Sequence, residues 1–367
     1  MDVTTKETPR ALLGLAASPG TIGGVNFVSL PGLNRGLDEK VPKTQDRHTG
    51  ERWEMKDGVW TLVLVLDGHL ECASAEFMLE MLPSTIKRAL ESVIESSDPL
   101  EDQDIAKALS ESLISLDNKI KDDFLALLPA DLTDFDAATA LKDADGKPLI
   151  EVQRAMTGTT VAVALIDPRK RIHVASVGDC DVFLCSSDSE EWTCSVPNTH
   201  HQCSNPDEYA RIMAEHPNDP ECVDMNHRSG VPRLLSMLVL SRAIGDIYGK
   251  IPREFVRVLE LGWGQSTVPD LSQIKTPPYL SNIPDVVHTK LPGQQFLIVA
   301  TDGLDNLMRR HQHLREVEQS VLGRKRFFGK PREVTLLETF LRAGFWVPSM
   351  DVWMTLPLRL FLCKTHN

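Results

Sequence analysis

Val59-Trp60-Thr61-Leu62-Val63-Leu64-Val65-Leu66 is an unbroken apolar run of strand length, and it leads directly into Asp67-Gly68-His69. A strand with no polar side is one buried on both faces, so the sheet that carries it needs cover above and below. The next segments offer that cover. From Ala73 to Ile94 the apolar residues Phe77, Leu79, Leu82, Ile86, Leu90 and Val93 recur at helical spacing, and Ile105 to Leu128 repeats the signal. Further on the period drops to two. Thr159 to Ile166 and Arg171 to Val177 are predicted strands joined by the turn Asp167-Pro168-Arg169-Lys170. Val182 to Cys185 follows Gly178-Asp179, and Phe296 to Ala300 ends at Thr301-Asp302-Gly303. Gly24 to Leu33 is weakly strand-like, and Asn34 to Lys56 is polar enough to be expected as loop. The pattern predicts one domain, with two sheets between helix layers.

Composition narrows the function classes. The chain has 367 residues, 42% hydrophobic and 25% charged, an ordinary globular balance. Lys plus Arg number 39 against 52 Asp plus Glu, a formal charge of -13, which disfavours nucleic acid and anionic membrane as partners. No apolar run is long enough to span a bilayer. The seven cysteines form no CxxC pair, so reduced, buried thiols are expected rather than a disulfide framework. Met1 to Gly20 mixes Lys6 and Arg10 with Asp2 and Glu7 and shows neither a secretory nor an organellar leader pattern, so the residues alone predict an intracellular setting and define it no further, with the cytoplasm as the alternative to an organelle. Residues 1–24 read as a loose opening, and 197–235 as an irregular flap with a short helix around Asp207 to Glu215.

Asp-Gly or Gly-Asp recurs at the ends of the apolar strands: Asp67-Gly68, Gly178-Asp179 and Asp302-Gly303. Any one of them is a common turn dipeptide. Together they also read as carboxylates gathered at a sheet edge, where oxygen ligands suit Mg²⁺ or Mn²⁺ and glycine lets a carbonyl approach the ion. The residues alone leave both readings open. His200, His201 and His216 with Cys203 fit no standard zinc spacing and are expected in a solvated flap.

Six blocks, in order, decide more than the dipeptides do: Thr44-Gln45-Asp46-Arg47, Val65-Leu66-Asp67-Gly68-His69, Gly158-Thr159-Thr160, Val174 to Asp179, Leu240 to Asp246 and Val299 to Gly303. In these the sequence resembles the PPM (type 2C) metal-dependent serine/threonine protein phosphatases over roughly residues 25 to 310. The text from His201 to Pro217, Pro232 to Asp246 and Thr276 to Leu280 is similar to the pyruvate dehydrogenase phosphatase branch. The resemblance implies an α+β fold, a four-layer αββα sandwich with two central antiparallel sheets over residues 25–362. It implies a binuclear Mn²⁺/Mg²⁺ centre with a third, weaker site. Asp67 would bridge both ions, the Gly68 carbonyl would bind one, Asp302 the other, and Asp46 would bind through water. Asp179 with Asp302 would form the third site, and His69 would be the general acid. It further implies a phosphoprotein substrate, a mitochondrial dehydrogenase complex within that branch, and hence a mitochondrial location.

The chain departs from the pattern in four places. A second carboxylate beside Asp46 is replaced by Gln45, and the block after Asp302 reads one residue short at Asp305. The expected phosphate-binding arginine is replaced by Val41, leaving Arg35, Lys43 or Arg47 as substitutes. Near the end, where a metal-binding aspartate would precede a strand, the chain reads Trp353-Met354-Thr355 with Pro357 following, and the tail from about Leu314 diverges. Loss of one carboxylate predicts weakened ion binding and, as the alternative to an enzyme, a catalytically impaired pseudophosphatase acting as a binding module.

Overall fold

The structure is a computed structural model, and it describes residues 18–22, 24–29, 45–97, 99–187, 192–265, 267–290, 294–304 and 359–364. Sheet I runs in the order β12-β6-β5-β4-β3, built from β3 (Arg47–Met55), β4 (Gly58–His69), β5 (Gly158–Ile166), β6 (Ile172–Val177) and β12 (Asp285–Thr289). Sheet II runs β1-β2-β14-β13-β7-β8, from β1 (Ser18–Ile22), β2 (Val25–Ser29), β7 (Asp181–Ser187), β8 (Trp192–Ser195), β13 (Gln294–Ala300) and β14 (Arg359–Lys364). The short β11 (Ile244–Gly245) adds to β5, and β9 (Val223–Asp224) pairs β10 (Arg233–Leu234) within the flap. Every ladder of sheet I is antiparallel. In sheet II, β14 lies parallel to both β13 and β2.

Period-two geometry splits β4 between two cores. Trp60, Leu62, Leu64 and Leu66 point to one face, where they meet α1 (Ala73–Ser96) and α2 (Asp102–Leu125) through Phe77, Met78, Leu82, Ile86, Ile105, Leu109 and Leu113. Val63 and Val65 point the other way, into a smaller core with Ala162, Ala164 and Val174 of sheet I and Val182, Leu184, Leu297 and Val299 of sheet II. That explains why the run had no polar side. One helical layer and both sheets of the sandwich are thus in place. The second helical layer that the resemblance implies, and the tail expected to diverge from Leu314, lie outside the described residues apart from β14.

Two helix starts follow from local chemistry. A reciprocal Glu101–Asp104 capping box opens α2. The flap helix, introduced after α3 (Ala137–Ala140) and α4 (Ile150–Met156), is α5 (Pro206–Glu215), where Asn205 accepts from the Asp207 N–H and Pro206 needs no donor. The last helix, α6 (Arg253–Trp263), ends at Gly264 with φ +82°.

Three expectations need correction. Part of the polar stretch Asn34 to Lys56 is strand β3: Gly50 and Trp53 are buried while charged neighbours face out, the composition of a protected edge. Ser18 to Ile22, expected as loose, is β1, paired with β2. Of the cysteines, Cys72, Cys180, Cys203 and Cys222 are free as expected, but Cys185 is disulfide-bonded; the residue opposite it across β7–β8 is Cys194.

The flap is anchored by a buried ionic knot. Glu208 on α5 accepts from Arg211, Arg242 and Ser241, and Arg242 also reaches Asp285. Burial by itself would raise the Glu208 carboxyl, but the hydrogen bonds from Arg242, Arg211 and Ser241 outweigh it and hold the group at about 2. A pKa depressed in the folded state stabilises above the unfolded value, about 4.3 for glutamate, and that contribution is lost as pH falls towards 2. Calorimetric Tm is therefore expected to drop across this window, with a shallower drop in Glu208→Gln. That variant should also be less stable by about 1–3 kcal/mol at neutral pH, because Arg211 and Arg242 lose a charged acceptor while keeping Glu215 and Asp285.

Candidate metal and phosphate site

Asp67 shares the parity of Val63 and Val65, so the strand that builds the inter-sheet core delivers its carboxylate to the end of that core. The ladder does not stop at Leu66. Asp67, Gly68 and His69 pair with Thr160, Thr159 and Gly158, so these residues sit on rigid strand rather than in a turn. From sheet II, Asp302 lies two residues past the end of β13, and Asp179 lies in the crossing from β6 to β7. Asp46, buried, immediately precedes β3.

These segments meet. Asp67 keeps part of its surface open to the cleft, yet the protein around it is dense enough to make a charge costly, and this, followed by repulsion from Asp46, Asp302 and Asp179, drives its carboxyl well above the usual range. Asp302 lies within hydrogen-bonding reach of Asp67. Asp179 is pushed up to about 6 by burial and then by Asp302, against the opposing hydrogen bond from Gln202 and the pull of His200 and His69. Carboxylates brought together from four segments thus raise the pKa of the two at their centre, Asp67 and Asp179. The donor set is all oxygen, and Gly68 offers backbone with no Cβ. That chemistry fits Mg²⁺ or Mn²⁺ better than a thiolate-preferring metal.

Gly68 also permits a close approach. A Cβ there would lie 2.5 Å from the Gln45 carbonyl, so the backbone next to Asp46 can press directly on the Asp67 strand. Gln45, which replaces the expected carboxylate, donates Nε2 to the Leu70 carbonyl at 2.9 Å, a bond a carboxylate cannot make. Leu70 has φ +64°, so this hydrogen bond secures a left-handed turn straight after His69. Of the candidate phosphate ligands, Arg47 donates to the Asp46 carbonyl at 2.9 Å and forms an ion pair with Glu76. Arg35 and Lys43 lie outside the described residues, as do Asp305 and Asp351.

The flap supports the site as well as decorating it. His200 Nε2 donates to Asp181 Oδ1 at 2.6 Å, the Gly178 N–H donates to His201 Nδ1 at 3.0 Å, and Gln202 Nε2 donates to Asp179 Oδ2 at 2.8 Å. Consecutive side chains thus hold the Gly178–Asp181 turn from which Asp179 projects. His216 stacks on Tyr279 and bonds Thr276, while burial pushes Cys203 up to about 12. These histidines and Cys203 are each committed separately. Elsewhere, Asp102, His173 and His288 bring possible ligand atoms within 4.8 Å of one another, at the sheet I edge formed by β6 and β12. There the two rings hydrogen-bond each other at 2.7 Å and Arg171 pairs with Asp102, so the charges are already matched.

Asp246 closes the Leu240 to Asp246 block but receives no role from sequence, although Gly245-Asp246 repeats the Gly178-Asp179 dipeptide. It is fully buried and accepts from His69 Nε2 at 2.6 Å. Burial pulls His69 down, but the charge and hydrogen bond of Asp246, and then Asp179, raise it overall.

The chain belongs to the protein phosphatase 2C family, whose model matches residues 39–334 and so runs past Leu314. It is 27% identical over 345 residues to the mitochondrial pyruvate dehydrogenase phosphatase 1 of Bos taurus, covering 82% of this chain and 63% of that protein. It is 29% identical over 224 residues to the protein of the same name in Saccharomyces cerevisiae, covering 58% of this chain and 35% of the relative. The chain therefore spans less than two thirds of the length of these relatives. Among solved structures, a serine-threonine phosphatase 2C from Toxoplasma gondii superposes with TM-score 0.50 at 18% identity, covering 82% of this chain and 86% of that one, a likeness of fold. No helix among the described residues is long and apolar enough to cross a membrane.

Mutual repulsion has a measurable consequence. Asp67→Asn removes a buried like charge and is expected to raise the Tm of metal-free protein by about 2–4 °C, while abolishing the further rise that Mn²⁺ gives the parent. Differential scanning fluorimetry with and without Mn²⁺ reads both effects; a lower metal-free Tm would contradict the repulsion account.

Proposed function

We propose that this chain is a Mn²⁺/Mg²⁺-dependent protein serine/threonine phosphatase that hydrolyses phosphoserine or phosphothreonine. The observation that carries the reading is the convergence of Asp46, Asp67, Asp179 and Asp302 on one end of the sandwich, where Asp46, Asp179 and Asp302 raise the cost of charge on Asp67 and Asp302 raises it on Asp179. Asp67, from the centre of sheet I, would bridge two ions; the Gly68 carbonyl and Asp46 would complete one and Asp302 the other, with Asp179 and Asp302 holding a third more weakly. When bound, the ions bind phosphate oxygens and lower the pKa of a water that attacks phosphorus. The residues do the rest. By fixing where the ions would sit, the carboxylates would set one orientation for the reacting phosphate, and His69, on the same strand as Asp67, delivers a proton to the leaving serine or threonine oxygen. Arg47, at the mouth of β3, is placed to offer positive charge near Asp46.

The substrate reading is a phosphoprotein of the dehydrogenase-complex type in a mitochondrial compartment; its support is the name and location of the relatives. A second reading, a phosphoprotein-binding pseudophosphatase, is favoured by Gln45, whose amide is spent on Leu70 where an acid would assist a metal-bound water. Hydrolysis of a phosphothreonine peptide in millimolar Mn²⁺ separates them. The parent protein is expected to turn over and Asp67→Ala to lose at least about 100-fold. Equal rates for the two, or Mn²⁺-independent release of phosphate, would refute the enzymatic reading.

A further inference from the structure

His69 and Asp246 meet over a residue chosen for having no side chain. Gly158 begins β5 with His69 opposite it on β4 and Gly245 opposite it on β11. A Cβ on Gly158 would lie 2.2 Å from both His69 Nε2 and Asp246 Oδ2. Asp246 itself has φ +46°, a conformation a non-glycine residue rarely adopts, and its side chain is wholly enclosed. Its backbone is fixed from several directions: its N–H donates to the Thr157 carbonyl at 3.0 Å, its carbonyl accepts from Gly249 at 2.9 Å, and the preceding Gly245 N–H donates to Asp117 at 2.8 Å. The Tyr248 hydroxyl donates to Oδ1 at 3.1 Å, leaving Oδ2 for His69. A buried aspartate held in left-handed backbone, with a tyrosine on one oxygen and a histidine on the other, is costly unless its orientation is used.

We propose that Asp246 is the positioning residue for His69: it locks the imidazole with Nε2 as donor to Oδ2, so that Nδ1 is the ring atom presented to the leaving oxygen. The inference rests on the enzymatic reading of His69 above. In the step served, the water oxygen forms a bond to phosphorus and the bond from phosphorus to the serine or threonine oxygen breaks. The ring enters this step as the imidazolium, protonated on both nitrogens; the leaving oxygen takes the Nδ1 proton, and the ring becomes neutral with its Nε2–H still on Asp246. The same division of labour between an orienting carboxylate and a proton-transferring imidazole makes the outcome depend on the leaving group.

Asp246→Asn tests this with little backbone disturbance, since asparagine tolerates the left-handed region. With Mn²⁺ present, kcat on a phosphothreonine peptide is expected to fall about 10–100-fold with KM little moved. The loss on p-nitrophenyl phosphate, whose leaving phenolate hardly needs a proton, should be at least tenfold smaller. In a His69→Ala background the same change should add less than about twofold. Gly158→Ala, which alters neither partner, should reproduce the leaving-group pattern. Equal losses on both substrates, or additive losses with His69→Ala, would overturn the proposal. Independently of turnover, ¹⁵N NMR of the His69 ring in metal-free protein should show the proton on Nε2 and lose that preference in Asp246→Asn. A ring spectrum unchanged by the substitution would equally overturn it. A parent protein that shows the ring signature but no hydrolysis would sink the enzymatic reading and leave the His69–Asp246 geometry standing.

Discussion

Carboxylates on four separate segments are held close enough that their charges make ionisation of Asp67 and Asp179 harder, and the apolar packing of two sheets keeps them there. Left to themselves, Asp46, Asp67, Asp179 and Asp302 would separate into solvent. They do not because Val63 and Val65 lock β4 against Val182, Leu184, Leu297 and Val299; Asp67 lies on β4, Asp179 and Asp302 lie just outside β7 and β13, and Asp46 precedes β3, which pairs with β4. The site is thus a strain carried by the core, and a divalent cation is the natural way to relieve it. The arrangement is the usual compromise between a stable scaffold and a functional cluster that destabilises it.

Support for the cluster comes from around it in layers. The flap contributes His200, His201 and Gln202 to the turn bearing Asp179, and is itself tied to sheet I through Glu208, Arg242 and Asp285. Gln45 secures the turn at Leu70, and Asp246 holds His69. Each of these contacts spans a long sequence separation, so the flap and the two sheets position the site together. The flap text is also where the likeness to the pyruvate dehydrogenase phosphatases was read, which places that likeness in residues that steady Asp179.

Much of this was legible before any coordinates. The two-faced burial of Val59 to Leu66, the helices over Ala73 to Ile94 and Ile105 to Leu128, and the Asp167 to Lys170 hairpin follow from period and turn chemistry, which are local. The ordered blocks around Asp67, Asp179 and Asp302 gave the family, now carried by the match over residues 39–334. What misled was equally local: the charges of Asn34 to Lys56 hid an edge strand, because solvent-facing residues of an edge are allowed to be polar. The odd cysteine count pointed away from the disulfide at Cys185, since a count carries no information about which strands pair.

Sequence by itself determined which residue types could serve: oxygen donors at strand ends, a histidine two positions after the central aspartate, glycines where backbones must touch. Tertiary structure alone decided who meets whom. That Asp67-Gly68-His69 is strand and not turn depends on pairing with Gly158 to Thr160, nearly a hundred residues away. That Asp246 reaches His69 depends on β11 joining β5 and on a left-handed residue no motif announces. The physical reason is that a covalent chain encodes neighbours one at a time, whereas charge repulsion, ring orientation and steric room act between groups that only the packed sheets bring within a few ångströms.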